Sequence, residues 1–216
     1  MAMNSLAEYY AKRAPAYERI YQKPERQTDL QTLRQFVART FVNRSVLEIA
    51  CGTGYWTEVL ARAAVSVAAT DVNEEVLAIA RSKPISPGKV SFQCCDAFRL
   101  EELSGEFDAG LAAFWWSHLT RTQLAEFLDG FHRRLKPGSL VVFIDNIYVE
   151  GSSTPISRRD AEGNTYQSRR LDDGSTTEVL KNFPTDEEIR AVLGLDVHQL
   201  LIQRLSYYWC AQYRSR

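Results

Sequence analysis

One short segment, residues 46–57, constrains the fold more than any other part of the chain. Residues 46–50 are apolar apart from one acid and β-branched at two positions, which is typical of a buried parallel strand. Gly52 and Gly54 then allow a tight turn, because glycine has no Cβ and accepts backbone angles that other residues avoid. From Tyr55 onward the apolar residues recur with the period of a helix. The segment therefore predicts a strand, a glycine turn and a helix in succession.

Two residues separate this segment from the fingerprint of dinucleotide-binding proteins. The third glycine of that fingerprint is absent, because Thr57 stands at its position. Glu48 lies inside the predicted strand, where a buried acid is costly unless it meets a polar or cationic partner. A Gly-x-Gly turn alone is common among nucleotide-binding folds, so these two residues make the pattern more specific.

The motif resembles that of the class I, Rossmann-like S-adenosylmethionine-dependent methyltransferases. Their first motif, acid-x-small-x-Gly-x-Gly, is matched by Glu48, Ala50, Gly52 and Gly54, and the resemblance implies that these residues form the cofactor site. S-adenosylmethionine has no pyrophosphate, so a third glycine is dispensable. Its ammonium and sulfonium groups favour nearby carboxylate and carbonyl oxygens.

Two further predicted strand ends carry acids in the order that the resemblance requires. The second strand ends at Asp71, where an acid bonds both ribose hydroxyls in nucleotide-binding folds. Asp71 could instead cap the helix that begins near Asn73. After the third strand, the resemblance places Asp96 and Ala97 at the adenine ring, and it implies that Val72 also contacts the cofactor.

Composition and charge narrow the class of protein. The chain has 216 residues, of which 45% are hydrophobic and 25% charged, as expected for one globular domain. A net charge of −1 creates no large field to recruit nucleic acid or an anionic membrane. No apolar run resembles a membrane span or a secretion signal. Four cysteines without Cys-x-x-Cys spacing predict neither a metal site nor a disulfide framework. We expect a cytoplasmic monomer or homodimer with no nucleic-acid or membrane partner.

Helical and strand patterns alternate along the chain without a linker or a repeat. We predict one α/β domain over residues 1–216, with N-terminal cap helices (1–42) and a cofactor-binding core (43–147). An inserted loop and β-hairpin (148–184) and a C-terminal helix and strand pair (185–216) complete it. Seven predicted strands match the Rossmann-like sheet of the resembled family, with helices on both faces and the last strand antiparallel.

The insertion after the fifth strand is rich in arginine. Its predicted hairpin lies on the ligand side of the sheet and carries Arg158, Arg159, Tyr166, Arg169 and Arg170. Because the guanidinium fork suits carboxylate or phosphate, we expect a small acid-bearing substrate, with Tyr166 and Arg170 as candidate binding residues. Strand alternation predicts that at most one of Arg169 and Arg170 faces the pocket. A solvated basic ribbon is the alternative.

An aromatic run ends the fourth predicted strand. Phe114, Trp115 and Trp116 are expensive to expose, so they must pack against core, insertion or ligand. The resemblance places this region beside the transferring methyl group, with Phe114 at the cofactor and both tryptophans at the substrate. His118 is the candidate general base, because an ordinary imidazole pKa permits proton removal near neutrality. A helix-start histidine bonded to backbone is the alternative.

The residues before the first strand carry a tyrosine stripe. Tyr10, Arg13, Tyr17 and Tyr21 share one helical face. In small-molecule members of the resembled family such helices cover the pocket, so Tyr17 is a candidate for the cofactor and Tyr10 for the substrate. Tyrosine rings could face the sulfonium by cation–π contact. The stripe could instead simply bury itself on the sheet.

These features predict a small-molecule methyltransferase that uses S-adenosylmethionine and releases S-adenosylhomocysteine by direct methyl transfer. Two alternatives remain open, namely a nicotinamide-dependent oxidoreductase on a related topology and a non-catalytic S-adenosylmethionine-binding protein. Thr57 and Glu48 argue against the oxidoreductase. No motif names the acceptor atom.

Overall fold

The computed structural model describes residues 14–85, 88–171, 174–194 and 197–216, with side chains described from Glu18 onward. Its main sheet has seven strands in the order β3-β2-β1-β4-β5-β10-β9. Strands β1 to β5 run parallel, and β10 pairs antiparallel with both β5 and β9. The predicted seven-stranded sheet with an antiparallel last strand is confirmed. The strands are β1 (Ser45–Ile49), β2 (Ser66–Asp71), β3 (Val90–Cys94), β4 (Phe107–Ala113), β5 (Leu135–Asn146), β9 (Val197–Arg204) and β10 (Tyr208–Ser215).

Within the described ranges, five α-helices cover the two faces of this sheet, as the apolar strands require. They are α1 (Gln27–Thr40), α2 (Tyr55–Ala63), α3 (Glu74–Ser82), α4 (Arg121–Arg133) and α5 (Asp186–Leu193). Alternate residues of β5 enter different cores. Val141 and Phe143 pack in the cluster under α4 and α5, whereas Val142 and Ile144 pack in the cluster under α1, α2 and α3. Helix α5 begins with a capping box between Thr185 and Glu188, as a Thr-x-x-Glu sequence before an apolar helix predicts.

The insertion forms a second, three-stranded antiparallel sheet in the order β6-β7-β8. Its strands are β6 (Ile156–Arg159), β7 (Thr165–Arg170) and β8 (Thr176–Leu180), so the predicted hairpin is present and has one further strand. All four residues of β6 are exposed, so this strand has no alternation of apolar and polar residues from which it could have been predicted. The insertion docks on the 3₁₀ turn Trp116–His118, where the Asn182 amide donates to the Ser117 carbonyl over 2.8 Å.

The described part of the N-terminal region is 3₁₀-helical. Two such helices, Ala14–Gln22 and Pro24–Arg26, lead into α1. Tyr10 and Arg13 lie outside the described residues, and the side chain of Tyr17 does too. Among the described residues, no helix is both long and apolar enough to cross a bilayer.

Candidate active site

The glycine turn between β1 and α2 has the backbone that the sequence predicts. Gly52 and Gly54 have φ of 55° and 79°, and Ala50 has φ of 53° without the freedom of glycine. A Cβ on Gly54 would lie 3.1 Å from the Cβ of Ala80 on α3. Gly54 therefore lets the turn approach α3 more closely than a residue with a Cβ would allow.

Thr57 partners the buried acid in β1. The Thr57 hydroxyl donates to Glu48 Oε2 over 2.7 Å, and Glu48 is 1% exposed. Burial raises the pKa of Glu48 to about 8, with a smaller contribution from the nearby Asp71 carboxylate. Glu48 is thus hydrogen-bonded to α2 from inside the sheet, and its burial leaves it no surface for a ligand.

Asp71, at the end of β2, is hydrogen-bonded to the glycine turn. The Gly52 amide donates to its Oδ2 over 2.9 Å, and the Asn73 amide donates to its Oδ1 over 3.0 Å. Burial raises the pKa of Asp71 to about 6, although these amides favour the carboxylate. Helix α3 is capped by Asn73, whose side chain accepts from the Glu75 amide, so capping does not occupy Asp71. The Asp71 carboxylate has about four acceptor sites and can therefore still accept from a ligand hydroxyl.

The tip of β3 completes a row of strand ends. Asp96 Oδ1 accepts from the Phe98 amide over 2.9 Å, and Ala97 is buried beside it. Val72 follows Asp71 and is 48% exposed. An exposed apolar side chain between two acids is a surface that a flat ring can cover. The structure thus brings together Gly52, Asp71, Val72 and Asp96 along neighbouring parallel strands.

The aromatic run after β4 divides into three environments. Phe114 has φ of 60° and packs beside Tyr21, Trp56 and Tyr208. Trp115 is partly buried against Phe127.

Trp116 is 2% exposed and packs edge-on against Phe143 and Trp209. Trp116 is not among the residues that line the basic cavity described below, because a three-residue turn places it in the core. Its burial stabilises the junction between the sheet and the insertion.

Beside Phe114 lies a cavity of about 400 Å³ between the N-terminal segment, the β5 tip and the insertion. Among the described residues that line it, six are basic and none is acidic. The basic residues are Arg19, Lys23, Arg26, Arg169, Arg170 and Lys181. A cluster of positive charges between low-dielectric walls concentrates anions. This positive charge is local, because the net charge of the chain is only −1.

The insertion contributes residues from both faces of β7 to this cavity, among them Gln167 and Ser168. Gln167 is 2% exposed, and its Oε1 accepts from Arg169 Nη2 over 2.8 Å. Tyr166 faces away, where its hydroxyl donates to Asp160 and Arg158 lies 3.7 Å over its ring. Tyr166 is therefore not a cavity residue, which corrects the sequence-based assignment.

Both members of the arginine pair line the cavity, whereas the sequence predicted at most one. Arg169 is partly buried on the Gln167 face, and Arg170 is exposed. Strand alternation thus separates a deeper arginine from one at the mouth.

His118 also lines the cavity, but in a different state from the one expected. It is 7% exposed, and its Nδ1 lies 2.8 Å from the Leu180 carbonyl, to which it donates. Burial, together with the positive charges of Lys181 and Arg169, holds the pKa of His118 well below its ordinary value. The imidazole is neutral at pH 7 and is a weak base, so the expectation of a near-neutral pKa is corrected.

A buried ion pair, of which Lys181 lines the cavity, was not predicted from the sequence. Asp145 in β5 is fully buried, and Lys181, directly after β8, is 4% exposed. Lys181 Nζ donates to Asp145 Oδ1 over 3.0 Å and to the Ser117 hydroxyl over 2.5 Å. An acid inside an apolar strand was the available signal, as it was for Glu48. Its partner lies 36 residues away, a pairing that only the fold creates.

Comparison with known proteins agrees with this geometry. Residues 46–138 match the family described as a methyltransferase domain. The core of this chain is therefore similar to methyltransferase domains. A ubiquinone biosynthesis O-methyltransferase of Pseudomonas paraeruginosa is 31% identical over 100 residues, which are 45% of this chain and 42% of that protein. The chain thus matches less than half of the length of that curated relative.

Solved structures extend the likeness to nearly the whole chain. The structure described as a DhpI–SAH complex has 25% identity and a TM-score of 0.80, covering 99% of this chain and 97% of that one. A DhpI–SAM–HEP complex has 24% identity and the same TM-score and coverage. Those two structures hold SAH and SAM, respectively. Among the described residues, no cluster of histidine, cysteine, aspartate or glutamate could hold a metal ion.

Proposed function

We propose that this chain is an S-adenosylmethionine-dependent methyltransferase whose substrate is a small molecule bearing an acid group. The observation that carries the proposal is the cavity with six basic side chains, which opens beside Phe114 at the carboxyl edge of the cofactor-binding strands. In open α/β sheets this edge is where ligands bind. An acceptor in the cavity is therefore next to the cofactor half of the site.

The strand ends supply the cofactor contacts. Asp71 accepts the ribose hydroxyls, Val72 covers the adenine face, and Asp96 with Ala97 meets the adenine edge. Gly52 and Gly54 let the main chain approach the cofactor, and Ala50 shapes the turn. Glu48 contributes indirectly, through its hydrogen bond with Thr57 at the start of α2. Tyr17 and Tyr10, on the segment before the cavity, remain candidates for the cofactor and the substrate.

When bound, S-adenosylmethionine supplies an electrophilic methyl group for direct displacement. The protein must then hold the acceptor in line with that group, and such orientation accounts for about 7–11 kcal/mol of a barrier. Basic side chains on several elements fix the acid group, while Phe114 and Trp115 limit water at the reacting end. His118 is the candidate catalytic residue, as a neutral hydrogen-bond partner of the acceptor. Its lowered pKa makes full proton removal inefficient near neutrality.

Release of S-adenosylhomocysteine tests the function. The enzyme is screened against small carboxylic, phosphoric and sulfonic acids, each paired with the neutral ester or amide of the same skeleton. We expect turnover of one or more acids and at least ~100-fold lower kcat/KM for the matched neutral compound, because buried charge contacts are lost. Equal turnover of acid and neutral partner would contradict an acid-bearing substrate. Absence of S-adenosylmethionine binding in calorimetry would contradict the methyltransferase itself.

A further inference from the structure

The floor of the basic cavity is a buried three-residue network that joins the insertion to the main sheet. Lys181 Nζ contacts Asp145 Oδ1 and the Ser117 hydroxyl at 3.0 and 2.5 Å. The Ser117 hydroxyl and amide each donate to Asp145 over 2.9 Å. All three residues are at most 4% exposed. The ammonium position is therefore fixed from the tips of β4 and β5 as well as from β8.

Stability alone is a poor reason for this network. Removing an ammonium from water costs several kcal/mol, and a buried ion pair is often no more stable than apolar side chains of the same volume. Asp145 already receives hydrogen bonds from the Ser117 hydroxyl and from the Ser117 and Asn146 amides. These donors already satisfy the hydrogen-bonding needs of its oxygens, so Lys181 supplies a charge rather than a missing donor.

More positive than negative charge surrounds Lys181. Asp145 is its one ion-pair partner among the described residues, whereas Arg169 and Arg26 face it with like charge. Burial and these arginines lower the pKa of Lys181 despite Asp145. Lys181 lines the cavity, and an ammonium has three donor hydrogens, two of which reach Ser117 and Asp145.

We propose that Lys181 is the anchor for the acid group of the substrate, and that Asp145 and Ser117 are positioning residues that fix its ammonium at the cavity floor. This inference rests on the proposed function, since it assigns the substrate anion to one side chain. Arg170 and Arg19 are exposed and capture the anion at the mouth. Lys181 fixes its depth, because the ion pair with Asp145 ties the ammonium to the main sheet.

The test uses inorganic phosphate as probe, in calorimetry at constant ionic strength, with S-adenosylmethionine titrated separately into each protein. Lys181→Gln leaves Asp145 buried without its cation and could unfold the chain. The double variant Asp145→Asn with Lys181→Gln removes both charges and keeps hydrogen-bonding side chains. Lys136→Gln is the control, because Lys136 is an exposed lysine paired with Glu106 outside the cavity.

We expect phosphate affinity at least ~10-fold weaker in the double variant than in the wild type, with Lys136→Gln within about twofold. Affinity for S-adenosylmethionine should stay within about twofold in all three proteins. Ser117→Ala should weaken phosphate binding without lowering that cofactor affinity, a separation that a purely structural role would not produce.

Two results would overturn the anchor. One is unchanged phosphate affinity in a folded double variant, and the other is wild-type protein that binds S-adenosylmethionine but shows no saturable phosphate binding. Wild-type protein that binds phosphate but not S-adenosylmethionine would instead overturn the proposed function and leave the anion site standing.

Discussion

Tyr21 stacks on Tyr55, with ring centroids 3.7 Å apart and planes within 4° of parallel. Tyr55 is the first residue of α2, directly after the glycine turn, and Tyr21 lines the basic cavity. Glu18, three residues earlier, accepts from the Thr53 hydroxyl in the turn over 2.9 Å and pairs with Lys83 after α3. The N-terminal segment therefore touches the cofactor loop and the cavity at once.

We predict that cofactor binding protects this segment. Amides of residues 18–26 should exchange at least ~5-fold more slowly with deuterium when S-adenosylmethionine is added, because the turn that Glu18 and Tyr21 contact becomes ordered around the ligand. The buried part of α1, around Leu33, serves as the internal reference. Exchange of 18–26 that is the same with and without cofactor would show that the segment is only a packed stripe.

Asp71→Ala should weaken S-adenosylmethionine binding by roughly 1.5–3 kcal/mol, the usual contribution of a hydrogen bond to a charged group. The loss combines the ribose contacts with the Gly52 amide contact. Calorimetry measures it, with Asp71→Asn as a second variant that retains one carbonyl acceptor. Asp129→Ala, at an exposed acid on α4, is the matched control. Unchanged affinity in folded Asp71→Ala protein would remove this residue from the cofactor site.

Gly54→Ala should destabilise the protein more than Gly88→Ala. Both positions have positive φ, at 79° and 83°, so an alanine at either one would be strained by about 1 kcal/mol. Only Gly54 also meets a neighbour, since nothing lies within 4 Å of a Cβ on Gly88. Adding Ala80→Gly removes that neighbour, and urea unfolding of the four proteins of the Gly54/Ala80 cycle should give a coupling energy of about 0.5–1 kcal/mol. Strict additivity would show that the contact is relaxed at no cost.

Glu48→Gln should flatten the pH dependence of stability. The folded pKa of about 8 lies above the unfolded value near 4.5, so folded Glu48 keeps a proton that the unfolded chain releases. Between these two pH values the wild type therefore loses up to ~1.4 kcal/mol of unfolding free energy per pH unit from this group, and below pH 4.5 it loses none. Urea unfolding from pH 4 to 9 measures the difference, with Glu150→Gln as an exposed control. Parallel curves for wild type and Glu48→Gln would refute it.

The two arginines of the insertion should have unequal effects on an acid substrate. Arg169→Ala should raise the KM by roughly 10–100-fold, as for loss of a charged hydrogen bond in a partly buried site. Arg170→Ala should raise it by less than ~5-fold, because an exposed charge contributes little. Arg158, which pairs with Glu178 on the outer face, is the control on the same sheet. Wild-type KM values for both variants would make the insertion a solvated ribbon.

Local sequence determined the cofactor half of the site. The positive φ of Gly52 and Gly54, the acid at the end of β2 and the capping box at Thr185 depend on neighbours within a few residues, and each was predictable. The cavity was only partly predictable. An arginine-rich insertion indicated an anion, but the face of β7 depends on its register with β6, which has no sequence pattern.

The buried charges show the same limit. Lys181 looks like any surface lysine until β8 docks beside Ser117, and Trp116 looks like a ligand-facing ring until the turn buries it. Such contacts join residues far apart in sequence, so composition and periodicity do not reveal them.

The cation-bearing walls of the cavity lie in residues 19–26 and 169–181, outside the parallel strands that hold the cofactor residues. Acceptor preference can therefore diverge, or be engineered by grafting another insertion, while the cofactor half stays intact. The graft has one fixed requirement. A donor sequence without a cation at position 181 would leave Asp145 as a buried carboxylate without a positive partner. The grafted insertion must therefore keep that cation before a change in substrate specificity can be measured.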